Sequence, residues 1–251
     1  MRSYAIGDIH GHLGLLHAAH ARIAKDKAAQ GDADAPIVHI GDLVDRGPDS
    51  RGVIDYLVSG LTAGQPWVVL KGNHDRMFTT FLDDPYAQDP GLRAEYSYLH
   101  PQIGGSSTLG SYGVRNAADR PLAPVHAEAV LAVPQSTRDF LTSRPSHFAH
   151  GKAMFVHAGV RPGIAMQDQT EDDLVWIRTG FLDYRGEFPW LVVHGHTALP
   201  AAVHYGNRVN IDSSAAYGGP LTAVVIEGRD VWVLTDAGRV KLPVMPDAPI
   251  R

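Results

Sequence analysis

Residues 37–47 read Ile-Val-His-Ile-Gly-Asp-Leu-Val-Asp-Arg-Gly: a short apolar, β-branched run that stops at a glycine and hands over at once to Asp42, Asp45 and Arg46. Such a run bounded by glycine reads as a buried strand, with the charged side chains on the loop at its carboxyl end. The same grammar recurs on both sides. Tyr4–Ile6 leads into Gly7-Asp8-Ile9-His10-Gly11, Trp67–Leu70 into Gly72-Asn73-His74-Asp75, Met154–Val156 into His157-Ala158-Gly159, and Leu191–Val193 into His194-Gly195-His196-Thr197. Helical patterns follow the first three runs. The clearest spans Leu13 to Ala29, with Leu13, Leu16, His20, Ile23 and Ala24 on one face. Strand, loop, helix is therefore the repeating unit, and open α/β sheets place their ligand crevices at the carboxyl ends of the strands.

After His196 the pattern changes to strands without helices, at Ala201–Tyr205, Arg208–Ile211, Leu221–Ile226 and Val231–Leu234, separated by turns such as Tyr205-Gly206-Asn207 and Glu227-Gly228-Arg229. The expected fold is mixed: α/β first, antiparallel later. One core can serve 251 residues, so a single domain over 1–251 is expected. Between about 83 and 150 the composition shifts to proline, glycine, serine and tyrosine with weak periodicity. This stretch reads as a loop-rich insert, either a cap over the site or a plain surface excursion.

Apolar residues at 44% and charged residues at 20% exclude a disordered chain, and no apolar run is long enough to cross a bilayer. The amino terminus lacks the pattern of a secretory signal, so a cytoplasmic location is expected. A net charge of −5 leaves no basic footprint for nucleic acid, yet does not oppose an anionic substrate, because bound metal can dominate the local field. Cysteine is absent, so any metal must sit on nitrogen and oxygen.

Taken singly, each loop residue has a bland alternative, a turn aspartate or a core histidine. Together the five loops offer two carboxylates (Asp8, Asp42), three imidazoles (His10, His157, His196) and one amide oxygen (Asn73) at one crevice, a ligand mix suited to divalent ions. Six ligands suit two ions that share a carboxylate, an arrangement that clamps both oxygens of a phosphoryl transfer.

The strings GDIHG, GDLVDRG, GNHD, HAG and HGHT, in this order, resemble the signature of the phosphoprotein-phosphatase branch of the calcineurin-like metallophosphoesterases. The resemblance runs from Asp8 to His196; 34 residues separate Asp8 from Asp42 and 31 separate Asp42 from Asn73. It implies a β-sandwich flanked by helices. It also implies that Asp8 and His10 bind a first metal, that Asp42 bridges, and that Asn73, His157 and His196 complete the second, with a hydroxide between the ions as nucleophile. Manganese, or an iron and zinc pair, would suit these ligands. By the same resemblance His74 is the proton donor to the leaving group and Asp45 orients it, while Arg46, Arg178 and Asn73 contact the substrate phosphate. For Arg178 the alternative is a surface ion pair with Glu171, Asp172 or Asp173. His194 is expected to be structural, as are His12, His17, His20, His39, His100 and His204.

Three functions compete: a serine/threonine, or dual-specificity, phosphoprotein or general phosphomonoester phosphatase; a symmetrical dinucleoside tetraphosphatase; and a non-catalytic binding module on the same fold. Missing ligands or a missing His-Asp pair would mark the third, and all are present. Symmetrical tetraphosphatases resemble this chain broadly but carry alanine where Asp45 stands. A serine alkoxide needs protonation to leave, so Asp45 favours monoesters, and the chain is most similar to small bacterial serine/threonine phosphatases. The segments Gly104–Gly113 and Asp172–Arg178 point the same way, while Ser213-Ser214 replaces a more usual Thr-Gly. Expected partners are a phosphorylated protein or small phosphoester; the sequence does not fix an oligomeric state.

Overall fold

The computed structural model describes residues 1–250. β1 (Arg2–Ile6), β2 (Ile37–His39) and β3 (Trp67–Val69) pair in parallel, and each leads through a loop into a helix: α1 (Leu13–Gln30), α2 (Ser50–Thr62) and α3 (Asn73–Asp83). A second parallel set follows, β5 (Ala153–Val156) beside β6 (Leu191–His194) beside β8 (Arg208–Asn210). β4 (His147–His150) and β7 (Val203–His204) flank it antiparallel. The chain then returns to the first sheet, where β9 (Ala223–Glu227) pairs antiparallel with β1 and continues into β10 (Asp230–Thr235) and β11 (Gly238–Lys241). The two sheets have the orders β11-β10-β9-β1-β2-β3 and β4-β5-β6-β8-β7.

Period-two alternation decides what each face buries. Ala5, Val38, Phe155, Val193, Val224 and Ile226 interdigitate between the sheets. Tyr4, Ile6, Ala223 and Val225 point the other way, against Leu16 and Ile23 of α1 and Ile54 and Leu57 of α2. On the far side of the second sheet Met154, Val156 and Val192 meet Leu174, Phe181 and Phe188. The expected mixed sandwich is thus present; its second outer face is covered by a mostly irregular segment whose one α-helix is the six-residue α7 (Glu171–Trp176). On α1, Ala24 is exposed and Leu13 only half-buried, and the inward face also includes Ala19 and Asp26.

The stretch expected to be loop-rich is so only between 84 and 104. Beyond that it forms α4 (Gly105–Ser111), α5 (Leu122–Ala132) and α6 (Gln135–Thr142), whose Leu109, Val125, Ala129 and Leu141 join the core around α3. Pro121 and Pro134 stand immediately before α5 and α6, where a missing N–H costs nothing, so proline here opens helices instead of breaking them.

Candidate active site

The loops after β1, β2, β3, β5 and β6 meet at one edge of the sandwich and are stitched together by hydrogen bonds. The N–H groups of Ile9 and His10 donate to the Asp42 carbonyl at 3.0 and 2.8 Å, Gly195 N–H to the His157 carbonyl at 2.8 Å, and His196 N–H to Asp8 Oδ2 at 2.9 Å. Asp75 joins two loops, accepting from Leu43 N–H at 2.9 Å and Gly72 N–H at 2.8 Å. Gly41 has φ +96°, and a Cβ there would overlap the backbone of Gly72. Of seven non-glycine residues with positive φ among those described, five lie here: His10, Asp42, Asp45, Arg46 and His196. Such conformations cost on the order of 1–3 kcal/mol each and persist where surrounding bonds impose them.

Asp8, His10, Asp42, Asn73, His74, His157 and His196 are all buried and converge. Asp42 lies at the centre, its Oδ2 3.4 Å from His10 Nε2 and its Oδ1 3.3 Å from His157 Nε2. Two groups of donor atoms spaced for an ion share it: His10, Asp42 and His74, and Asp42, His157 and His196. Asn73 Oδ1 belongs beside the second, 2.9 Å from His157 Nε2 and 2.8 Å from His196 Nδ1. The imidazoles are oriented from behind: Nδ1 of His10 donates to the Val44 carbonyl at 2.9 Å and Nδ1 of His157 to the Ile40 carbonyl at 3.0 Å, leaving each Nε2 lone pair facing inward.

Electrostatics make the same demand. Asp42 is buried with the rings of His157, His74, His10 and His196 around it. Burial, then Asp212 and Asp42, push Asp8 well up, and its Oδ1 has no hydrogen-bond partner. Burial keeps His10, His157 and His196 below the usual histidine range, so they present neutral lone pairs. Asp8, Asp42, Asp45, Asp75 and Asp212 are all buried at this edge. An orphaned carboxylate oxygen, neutral imidazoles and this excess of buried acid fit divalent cations.

His74, expected as a proton donor oriented by Asp45 and not as a ligand, has its Nδ1 2.7 Å from Asp45 Oδ2, and its backbone N–H donates to Asp42 Oδ1 at 3.0 Å. Asp45 Oδ1 accepts from Tyr98 Oη–H and Thr108 Oγ1–H, both at 2.7 Å. Arg46 donates from NH1 to His10 Nε2 at 2.8 Å, and the Tyr217 ring covers its guanidinium at 5.2 Å. Arg178 donates to the His196 carbonyl at 3.2 Å, whereas Glu171, Asp172 and Asp173 pair with Lys71, Arg76 and Arg161. His194 is bonded instead by Arg208, at 3.2 Å.

Above these residues opens a cleft of about 670 Å³, walled by Asp42, His74, Arg46, Arg178, Trp176 and Tyr217 and, from the insert, by Leu92, Arg93, Tyr96 and Ile103. The sequence reading missed Tyr98, Asp75, Asp212 and Tyr217. Asp75 was visible in GNHD, and Asp212 and Tyr217 beside Ser213-Ser214, but Tyr98 left no signal. Asp212 is pushed up to about 6, chiefly by burial.

Comparison with known proteins agrees with this chemistry. A family model described as calcineurin-like phosphoesterase matches residues 1–226. Serine/threonine-protein phosphatase 1 of Salmonella typhimurium is 29% identical over 238 residues, covering 89% of this chain and 91% of that protein. An asymmetrical bis(5'-nucleosyl)-tetraphosphatase, PrpE of Geobacillus thermodenitrificans, is 29% identical over 228 residues, covering 87% and 88%. Among solved structures, the cold-active protein-tyrosine phosphatase of a psychrophilic Shewanella species shares the fold, with a TM-score of 0.57 at 16% identity over 96% of this chain and 80% of that one. The chain belongs to the calcineurin-like phosphoesterase family and is a metal-dependent hydrolase of phosphoric ester bonds.

Proposed function

We propose that the chain is a phosphomonoesterase acting on phosphoserine and phosphothreonine in proteins, with room for dual specificity, and using two divalent ions held by Asp8, His10, Asp42, Asn73, His157 and His196. Manganese suits these ligands, as would an iron and zinc pair. Bound there, the ions would supply Lewis acidity and a nucleophile at neutral pH. The side chains do the rest. Arg46 and Arg178 grip phosphate oxygens with planar forks that stay charged, and Asn73 reaches the phosphate from between its two histidine neighbours. His74 Nε2 hands a proton to the departing oxygen, while Asp45 fixes the ring through its Nδ1.

The 2.7 Å contact between His74 and Asp45 carries this reading, since an oriented general acid matters most for a poor leaving group such as a serine alkoxide. A second reading, hydrolysis of a dinucleoside tetraphosphate, is favoured by the PrpE relative. The alternative weighed from the sequence is the symmetrical cleavage, whereas that relative is of the asymmetrical kind, so the alanine of the symmetrical enzymes does not bear on it. Turnover of manganese-reconstituted protein on phosphoserine, phosphothreonine and phosphotyrosine peptides, an aryl phosphate and a dinucleoside tetraphosphate tests both. Phosphoserine and phosphothreonine turnover is expected; efficient tetraphosphate cleavage with negligible phosphopeptide turnover would overturn the first reading.

A further inference from the structure

One densely bonded carboxylate lies outside this machinery. Asp89, at the turn-rich start of the insert, is 4% exposed. It accepts from Arg76 Nε at 2.7 Å and NH2 at 2.8 Å, from Trp176 Nε1 at 2.8 Å and from Gly91 N–H at 2.9 Å. The donors come from three separate parts of the chain. Arg76 lies on α3 two residues beyond His74, Trp176 ends α7 two residues before Arg178, and Gly91 belongs to the insert wall of the cleft.

The remaining contacts make this a clamp. Arg76 NH1 also reaches Asp172 at 2.6 Å, so one guanidinium spans insert and α7. A Cβ at Gly91 would overlap the Trp176 ring, which leaves the indole one place to lie. Its edge meets His196 at 5.6 Å and 87°, and Arg178, just beyond, donates to the carbonyl of that same histidine. A forked Arg–carboxylate pair reinforced by an indole N–H fixes direction as well as distance.

We infer that Asp89 is a positioning residue for phosphate binding: through Trp176 it sets where the Arg178 guanidinium stands in the cleft. The inference rests on the reading of Arg178 as a phosphate-binding side chain.

A double-mutant cycle on the metal-reconstituted chain tests it, reading the inhibition constant of inorganic phosphate, KM and kcat on an aryl phosphate, metal content and Tm. Asp89→Asn should raise the phosphate inhibition constant and KM about tenfold with metal content unchanged; coupling between residues that share a hydrogen-bond network or a backbone shift is commonly of that order. In an Arg178→Ala background the same substitution should add less than about twofold. Trp176→Phe keeps an aromatic side chain but removes the N–H donor, and should shift phosphate affinity the same way by less; it carries the test if Asp89→Asn does not fold. Equal losses in both backgrounds, or a lowered Tm with unchanged phosphate affinity, would make Asp89 purely a stabilising residue and overturn the inference. An unchanged phosphate constant in Arg178→Ala alone would remove the reading of Arg178, and the positioning role with it.

Discussion

Asp45 Oδ2 lies 2.7 Å from His74 Nδ1, and the opposite oxygen of that carboxylate is held by the hydroxyls of Tyr98 and Thr108. Thr108 also accepts the Asp45 N–H at 2.8 Å, so the carboxylate can neither rotate nor withdraw. If His74 donates the leaving-group proton, His74→Asn should retain metal yet lose on the order of 10²–10⁴ in kcat on a serine phosphate. An aryl phosphate leaves as a stable phenolate and should lose much less. Asp45→Asn should show the same dependence at smaller amplitude, and Thr108→Val smaller still. Equal losses on both substrates, with metal intact and chemistry limiting, would point to phosphate positioning by His74.

Asp42 faces His10 with one oxygen and His157 with the other, at 3.4 and 3.3 Å, and so stands between the two candidate ion positions. Asp42→Asn should remove at least one ion and nearly all activity. Elemental analysis of the active, reconstituted wild type should find two ions per chain. One or none would contradict the two-ion site.

How far the sequence carries is clear from these two residues. The strand before Asp42 and the loop that holds it were legible because a strand buried on both faces reads as a nearly continuous apolar run, broken here only by His39, and because its glycine lets another loop approach. The partners of Asp45 were not, since Tyr98 and Thr108 lie 53 and 63 residues away and only tertiary packing brings them back. α4 to α6 were hidden for a local reason: they are short, from 7 to 11 residues, and opened by glycine or proline, which in composition look like loop. β4, His147-Phe148-Ala149-His150, has no fully buried residue and so no apolar signature.

Arg46→Ala should weaken catalysis without stripping metal, because the guanidinium is assigned to phosphate alone. Loss of metal would make its 2.8 Å contact with His10 a structural one. Arg178→Ala is the sharper case. An ordinary exposed arginine is nearly silent on truncation, within about 0.5 kcal/mol in stability, so wild-type turnover there would return Arg178 to a surface role.

His20 and His39 set a pH dependence remote from the cleft. Their Nε2 atoms are 2.9 Å apart beside Trp67, and burial lowers His20 to about 4 and His39 to about 3. His39 Nδ1 faces the Val68 carbonyl at 3.3 Å, which leaves its Nε2 to accept from His20. Both rings are therefore neutral in the folded protein at pH values where the unfolded chain, with histidine near 6.5, has begun to bind protons. Because the unfolded state binds more protons in that window, stability rises with pH through it. The contribution is fully present above about 6.5; it falls as the pH drops toward about 4 for His20 and about 3 for His39. His39→Gln supplies an amide oxygen to accept from His20 in place of the imidazole nitrogen and removes one titrating group. Urea unfolding of the metal-free protein between pH 4 and 6 should show a shallower rise of stability in the variant, by at most about 1.4 kcal/mol per pH unit, the value of one proton. Parallel curves would show that His39 is not held neutral by the fold.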